Sequence, residues 1–189
     1  MPDPYFFGYG SLVNRATHDF PNATPAQLTG WRRVWRHTDL RPVAFLSVVR
    51  DADTVIDGLI AHVPNDDWAA LDQREWAYDR IATTAAITHP LRHDIDIAVY
   101  AVPPAHQNAP SARHPVLLSY IDVVVQGYLR EFGPDGAARF FATTDGWDVP
   151  VQNDPAAPRY PRHQSLTADE TAFVDDHLAI HAAQVTKPI

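Results

Sequence analysis

No cysteine occurs anywhere in the 189 residues, which removes thiolate nucleophiles, disulfides, iron–sulfur ligation and thiolate zinc sites together. Lysine is nearly as scarce. The single lysine is Lys187, in a Thr-Lys-Pro tail, so neither a buried Schiff-base lysine nor a phosphate-loop lysine has a candidate in the body of the chain. Positive charge is also short: 15 Lys+Arg stand against 23 Asp+Glu for a formal net charge of −8, which argues against general nucleic-acid affinity. No apolar stretch approaches the ~18 uninterrupted residues that a membrane span needs, and the opening Met-Pro-Asp-Pro lacks the basic and apolar regions of an export signal. The expectation is a cytoplasmic protein with no membrane and no nucleic-acid partner.

What is present suits a folded domain. Hydrophobic residues make up 46% of the chain and charged residues 20%, enough apolar surface for a core and too little charge for disorder, and the length fits one domain spanning residues 1–189. Tyr5-Phe6-Phe7-Gly8 reads as a short buried strand that ends in a glycine-bounded loop, Gly8 to Leu12. Residues 27–37 lean towards strand. The β-branched runs 43–49 and 55–63, separated by Arg50-Asp51-Ala52-Asp53, read as a hairpin. Asn65 or Asp66 is the expected cap of a short helix through Leu71, and strands are expected at about 80–88 and 95–102.

Beyond Pro103-Pro104 the pattern turns helical. Leu117, Tyr120, Ile121, Val124, Val125, Tyr128 and Leu129 form a stripe at helical spacing over 116–131. A short helix near 134–143 and a last one from Thr167 to about Ala183 follow, the last opened by a capping-box sequence, Thr167-Ala168-Asp169-Glu170. Residues 145–165 hold Pro150, Pro155, Pro158 and Pro161 and read as irregular backbone lying over the body. Strands first and helices after imply an α+β fold, a small curved mixed β-barrel or sheet flanked by helices.

Three features carry possible chemistry. The turn Tyr9-Gly10-Ser11-Leu12 can bring backbone N–H groups close to an anion, although a plain strand-ending turn fits it too; the serine is misplaced for a Gly-x-Ser-x-Gly nucleophile elbow. Glu75 sits beside Trp76 and near Tyr78. A carboxylate pressed on aromatic surface loses hydration, which raises its pKa towards the range useful to a general base; the alternative is a surface carboxylate paired with Arg74 or Arg80. His177 and His181 are four apart on the last helix, but Leu178 stands where a zinc protease of the His-Glu-x-x-His kind needs glutamate. A solvated helix face is the simpler account, and no metal or cofactor is expected.

Taken together, Phe7-Gly8-Tyr9-Gly10-Ser11-Leu12, Gly30-Trp31-Arg32-Arg33, Leu71-Asp72-x-x-Glu75 ending near Tyr78, and Tyr120 seven residues before Gly127 resemble the gamma-glutamylcyclotransferase-like family over about residues 5–130. The resemblance implies a cavity that holds a γ-glutamyl group, whose α-amine attacks its own γ-carbonyl to release 5-oxoproline. It assigns Glu75 as the catalytic carboxylate, Tyr9, Gly10, Ser11 and Leu12 as the loop that grips the substrate's α-carboxylate and amine, and Tyr120 as a tyrosine lining the cavity. Asn14 stands where some glutathione-acting relatives carry tryptophan, which leaves glutathione, γ-glutamyl amino acids and γ-glutamyl amines all open as substrates. A binding protein of the same fold without catalysis is the alternative. Arg159, Tyr160 and Arg162 either cap the cavity and contact the leaving portion or stand as exposed loop residues, the commoner case.

Overall fold

A computed structural model of the chain describes residues 2–181 and 184–186. The first strand, β1 (Asp3–Gly8), is central. Tyr5 and Phe7 enter the main core while Phe6, pointing the other way, enters a second apolar cluster with Leu12, Leu71 and Tyr100. An unbroken aromatic run is what a strand buried on both faces requires. β1 pairs antiparallel with β3 (Phe45–His62) and parallel with β6 (Ile95–Ala101). With β2 (Thr24–Arg36), β4 (Asp79–Ala82) and β5 (Ile87–Thr88) the sheet runs in the order β4-β6-β1-β3-β2-β5.

That order explains the curvature. β4 and β5 are consecutive in the chain yet occupy opposite edges. Laid flat, the six strands would separate those edges by about 24 Å, whereas the five-residue step from Ala82 to Ile87 reaches only about 17 Å at full extension. The sheet must curl, and the outcome is the curved mixed half-barrel that the sequence predicts. The single strand expected over 80–88 is instead broken at 83–86, because this crossing needs a turn, Thr84–Ala86.

The hairpin expected at 50–53 is not there. Residues 43–49 and 55–63 belong mostly to one long strand, β3, paired along its length with β2. Residues 51–54 bulge out opposite Gly30 alone, which takes φ +80°. Asp51 accepts hydrogen bonds from the Asp53 amide and the Thr54 hydroxyl, so its turn chemistry is satisfied inside a bulge without reversing the chain. The cap expected at Asn65 or Asp66 also moves. Both residues adopt left-handed φ in the turn Pro64–Asp66, and Asp67 Oδ1 accepts from the Ala69 amide at the start of α1 (Ala69–Arg74).

A two-residue strand, β7 (Val116–Leu117), leads into α2 (Leu118–Ala142), which breaks at Gly133 (φ +67°) before Pro134, so the two expected helices are consecutive halves of one element. β8 (Thr144–Asp145) adds to β2, and β9 (Pro150–Gln152) joins β7 and β10 (Gln184–Thr186) in a small parallel sheet. The remainder of 145–165 is irregular and packs on the body. α3 (Ala168–Ile180) begins with both halves of the Thr167/Glu170 capping box in place. Its expected end near Ala183, like Lys187, lies outside the described residues. Among the described residues no helix is long and apolar enough to cross a membrane.

Candidate functional site

The end of β1 and the turn after it are held from three sides. Arg33, fully buried on β2, donates through Nε to the Tyr9 carbonyl at 3.3 Å, and Tyr128 on α2 donates through its hydroxyl to the same carbonyl at 2.9 Å. Arg33 also donates to the Asp57 carbonyl and to Thr143 Oγ1, and its guanidinium lies over the Tyr128 ring, 5.0 Å from the centroid. Its charge is thus met by carbonyls and an aromatic face, the surroundings a buried guanidinium needs in the absence of a carboxylate. From the third side α2 closes down on the turn. Two glycines permit this: a Cβ on Gly10 would stand 2.7 Å from the Tyr120 hydroxyl, and one on Gly127 would stand 2.7 Å from the Asn14 backbone nitrogen. Tyr120 and Gly127, two turns apart, share the helix face that docks here. Asn14 fixes the contact by donating Nδ2 to the Val123 carbonyl and to Gln126.

Between this turn and α1 lies a small hollow with about 30 Å³ of room, lined by Tyr9, Gly10, Ser11, Leu12, Leu46, Glu75, Tyr78, Tyr100 and Tyr120, among others. Each residue the sequence singles out, Glu75, Tyr9, Gly10, Ser11, Leu12 and Tyr120, borders it. The Tyr120 hydroxyl lies against Gly10 of the turn. Tyr9 donates to the Tyr100 carbonyl at 2.6 Å, and Tyr78 to the Leu46 carbonyl at 2.9 Å. Burial pushes the phenols of Tyr9, Tyr78 and Tyr120 well above the ordinary tyrosine range, so they remain neutral and serve as hydrogen-bonding walls.

Glu75 caps the C-terminal end of α1, its side chain only 16% exposed. Burial raises its pKa above the usual carboxylate value; Arg74, Arg41 and Arg162 oppose the shift without cancelling it. Arg74 Nε donates to Glu75 Oε1 at 3.1 Å, so the ion pair expected as the alternative is present, but both side chains are largely shielded, 8% and 16% exposed, rather than on the surface. The rest of Arg74 ties α1 to the turn, through Nη1 to the Thr17 carbonyl at 2.9 Å and Nη2 to Ser11 Oγ at 3.1 Å. A carboxyl of raised proton affinity, beside a turn with amide donors and within neutral phenols, can accept a proton from a bound amine and return it.

Of the two readings offered for Tyr160, the favoured one, an exposed loop residue, is corrected by its burial. Tyr160 is buried, and its hydroxyl donates to Ser11 Oγ at 2.8 Å, with its ring 5.0 Å from that of Tyr120. Asp154, two-fold bonded to Ser119 and accepting from the Arg159 amide, anchors the segment that carries it. Arg162 and Arg159 are exposed, as read. Arg74 and Tyr100 were overlooked as site residues; the adjacency of Arg74 to Glu75 was the available signal. His177 and His181 stack on the Phe141 ring, 4.9 and 5.6 Å between centroids, and among the described residues no group of three or more His, Asp or Glu side chains could hold a metal ion.

The chain is similar to known proteins in sequence pattern and in fold. The pattern of the family described as "Gamma-glutamyl cyclotransferase, AIG2-like" matches residues 6–120. The fold is similar to that of a protein titled gamma-glutamyl cyclotransferase (TM-score 0.54, 12% identity, 91% of this chain and 98% of that one). It is similar also to YkqA from Bacillus subtilis (TM-score 0.58, 17% identity, 77% of this chain and 57% of that one) and to uncharacterized protein loc79017 from Homo sapiens (TM-score 0.57, 12% identity, 90% and 97%). No curated protein matches. With the family pattern running from β1 to the first turn of α2, the chain belongs to the gamma-glutamyl cyclotransferase, AIG2-like family.

Proposed function

We propose that the protein releases 5-oxoproline from a γ-glutamyl compound, with Glu75 as the base. The observation that carries this reading is the position of the Glu75 carboxyl, shielded from water, in the same hollow as the Tyr9–Leu12 turn and Tyr120. An α-ammonium cannot attack a carbonyl until it gives up a proton, and Glu75 accepts it. The freed nitrogen bonds to the γ-carbon of its own side chain, closing a five-membered ring, and the bond from that carbon to the leaving nitrogen breaks. The ring nitrogen sheds two protons in all and the leaving nitrogen gains two. A carboxylate that takes up and returns a proton at each transfer balances the reaction without metal or cofactor.

Because the attack is intramolecular, holding the glutamyl backbone in one conformation lowers the barrier by orientation alone. Amide groups of Gly10 to Leu12 serve the α-carboxylate, and the neutral phenols bound the hollow. About 30 Å³ admits little more than a water molecule, so the hollow must open to take substrate; Tyr160, hydrogen-bonded to Ser11 on its border, is the side chain whose displacement would open it. The test is mass-spectrometric detection of 5-oxoproline from purified protein supplied with glutathione, γ-glutamyl amino acids and γ-glutamyl amines. Release from at least one is expected; no release from any removes the proposal in favour of a binding protein of the same fold.

A further inference from the structure

Beside the hollow, on the far side of Arg74, opens a larger cleft with about 510 Å³ of room, whose walls include Thr17, His18, Pro64, Ala70, Arg74 and Arg162. Arg74 stands between the two spaces. It lines the cleft while its Nε and Nη2 reach Glu75 and Ser11 in the hollow. On the proposed reading the opened hollow takes the glutamyl head alone, and whatever is attached to the γ-carbonyl continues past Arg74 into this cleft.

Charges of both signs line the cleft, Arg74 and Arg162 against Asp19 and Asp67, and the cations are the ones whose charge reaches Glu75. Arg162 lines the cleft, is exposed, and its guanidinium makes no hydrogen bond or ion pair among the described residues; its field nevertheless reaches Glu75. Arg74 is almost fully engaged, with donors on Glu75, Ser11 and Thr17. His18 adds no charge: burial lowers its pKa, and its ring nitrogens are occupied by the Phe20 amide and the Leu12 carbonyl. Asp19 and Asp67 also line the cleft, but Asp67 is turned to the Ala69 amide, and the charges that act on Glu75 are those of the arginines. A free guanidinium fork beside a saturated one offers a seat for a planar anion.

We infer that Arg74 and Arg162 select for a carboxylate on the leaving portion of the substrate, Arg162 binding it and Arg74 walling the seat. The compounds favoured are then γ-glutamyl amino acids or peptides over γ-glutamyl derivatives of plain amines. This rests on the cyclotransferase reading for the placement of the glutamyl head, but it is a statement about binding and can be tested without turnover.

The measurement is calorimetric affinity of the Glu75→Gln protein, which does not consume ligand, for γ-glutamylalanine and γ-glutamylethylamine, two compounds that differ only by the carboxylate. γ-Glutamylalanine should bind about tenfold more tightly, the scale of one charge-assisted hydrogen bond. Adding Arg162→Ala should reduce the ratio towards one, and Arg162→Lys should restore part of it. Equal affinities, absence of binding by either compound, or an unchanged ratio in Arg162→Ala overturns the inference. Release of 5-oxoproline by the unmodified protein is scored separately: a tenfold ratio with no release retains the carboxylate seat and removes the reaction.

Discussion

Arg74 Nε and Glu75 Oε1 lie 3.1 Å apart, neighbours in sequence that pair at the end of α1, Glu75 on the hollow and Arg74 on the cleft beside it. The guanidinium favours the ionised carboxyl, burial disfavours it, and burial prevails. Removing the cation leaves burial unopposed by its strongest counterweight. In Arg74→Met the acidic limb of the kcat/KM profile should therefore move to higher pH, as read from 5-oxoproline release over the acidic to neutral range. A limb that moves down or stays in place contradicts the assignment of Glu75 as the titrating group.

Glu75→Gln keeps the shape and hydrogen-bonding reach of the side chain but cannot accept a proton at neutral pH. Turnover should fall by at least about 10²-fold, the lower end of general acid–base contributions. Circular dichroism and thermal unfolding check that the fold persists. Turnover at the unmodified rate would remove Glu75 as the base.

Asp122, on α2, faces Asp175 of α3 and Asp154 of the strap, and burial with these like charges raises its pKa to about 7. A carboxyl whose folded pKa exceeds its unfolded value binds more protons in the native state between the two. Its favourable contribution is present at about pH 4 and is lost as pH rises through 7. Asp122→Asn should accordingly raise stability at pH 8 by about 2–4 kcal/mol, with the gain vanishing near pH 4; denaturant unfolding at the two pH values measures both.

Gly127→Ala sets a methyl group against the Asn14 backbone, 2.7 Å from its nitrogen and 2.9 Å from its Cα. Backbone cannot rotate away as a side chain can, so α2 must lift from the turn. We expect a loss of about 1–3 kcal/mol, seen as a lower Tm, and weaker turnover because Tyr120 rides on the same helix.

Much of this was legible in the sequence because the residues involved obey local rules. Tyr5-Phe6-Phe7 is apolar on both faces and becomes the strand buried on both faces. Thr167 and Glu170 form the cap their spacing predicts. Arg50 to Asp53 misleads because turn chemistry is also bulge chemistry, and only the pairing of β2 with β3 distinguishes them. The Tyr160 contact with Ser11 spans 149 positions and comes from proline-broken backbone, which carries no periodicity to announce burial. Arg33, read only as part of a motif, is explained by the turn it pins.

The hollow's floor is drawn from residues 7–120, inside the stretch that matches the family pattern, whereas its roof hangs from a strap beyond residue 150. On the proposed reaction, grip on the glutamyl end of the substrate and contact with its attached group are therefore written in different chapters of the chain. On the same reading, substitutions in the later stretch would change which attached groups are accepted while the carboxyl beneath keeps its setting.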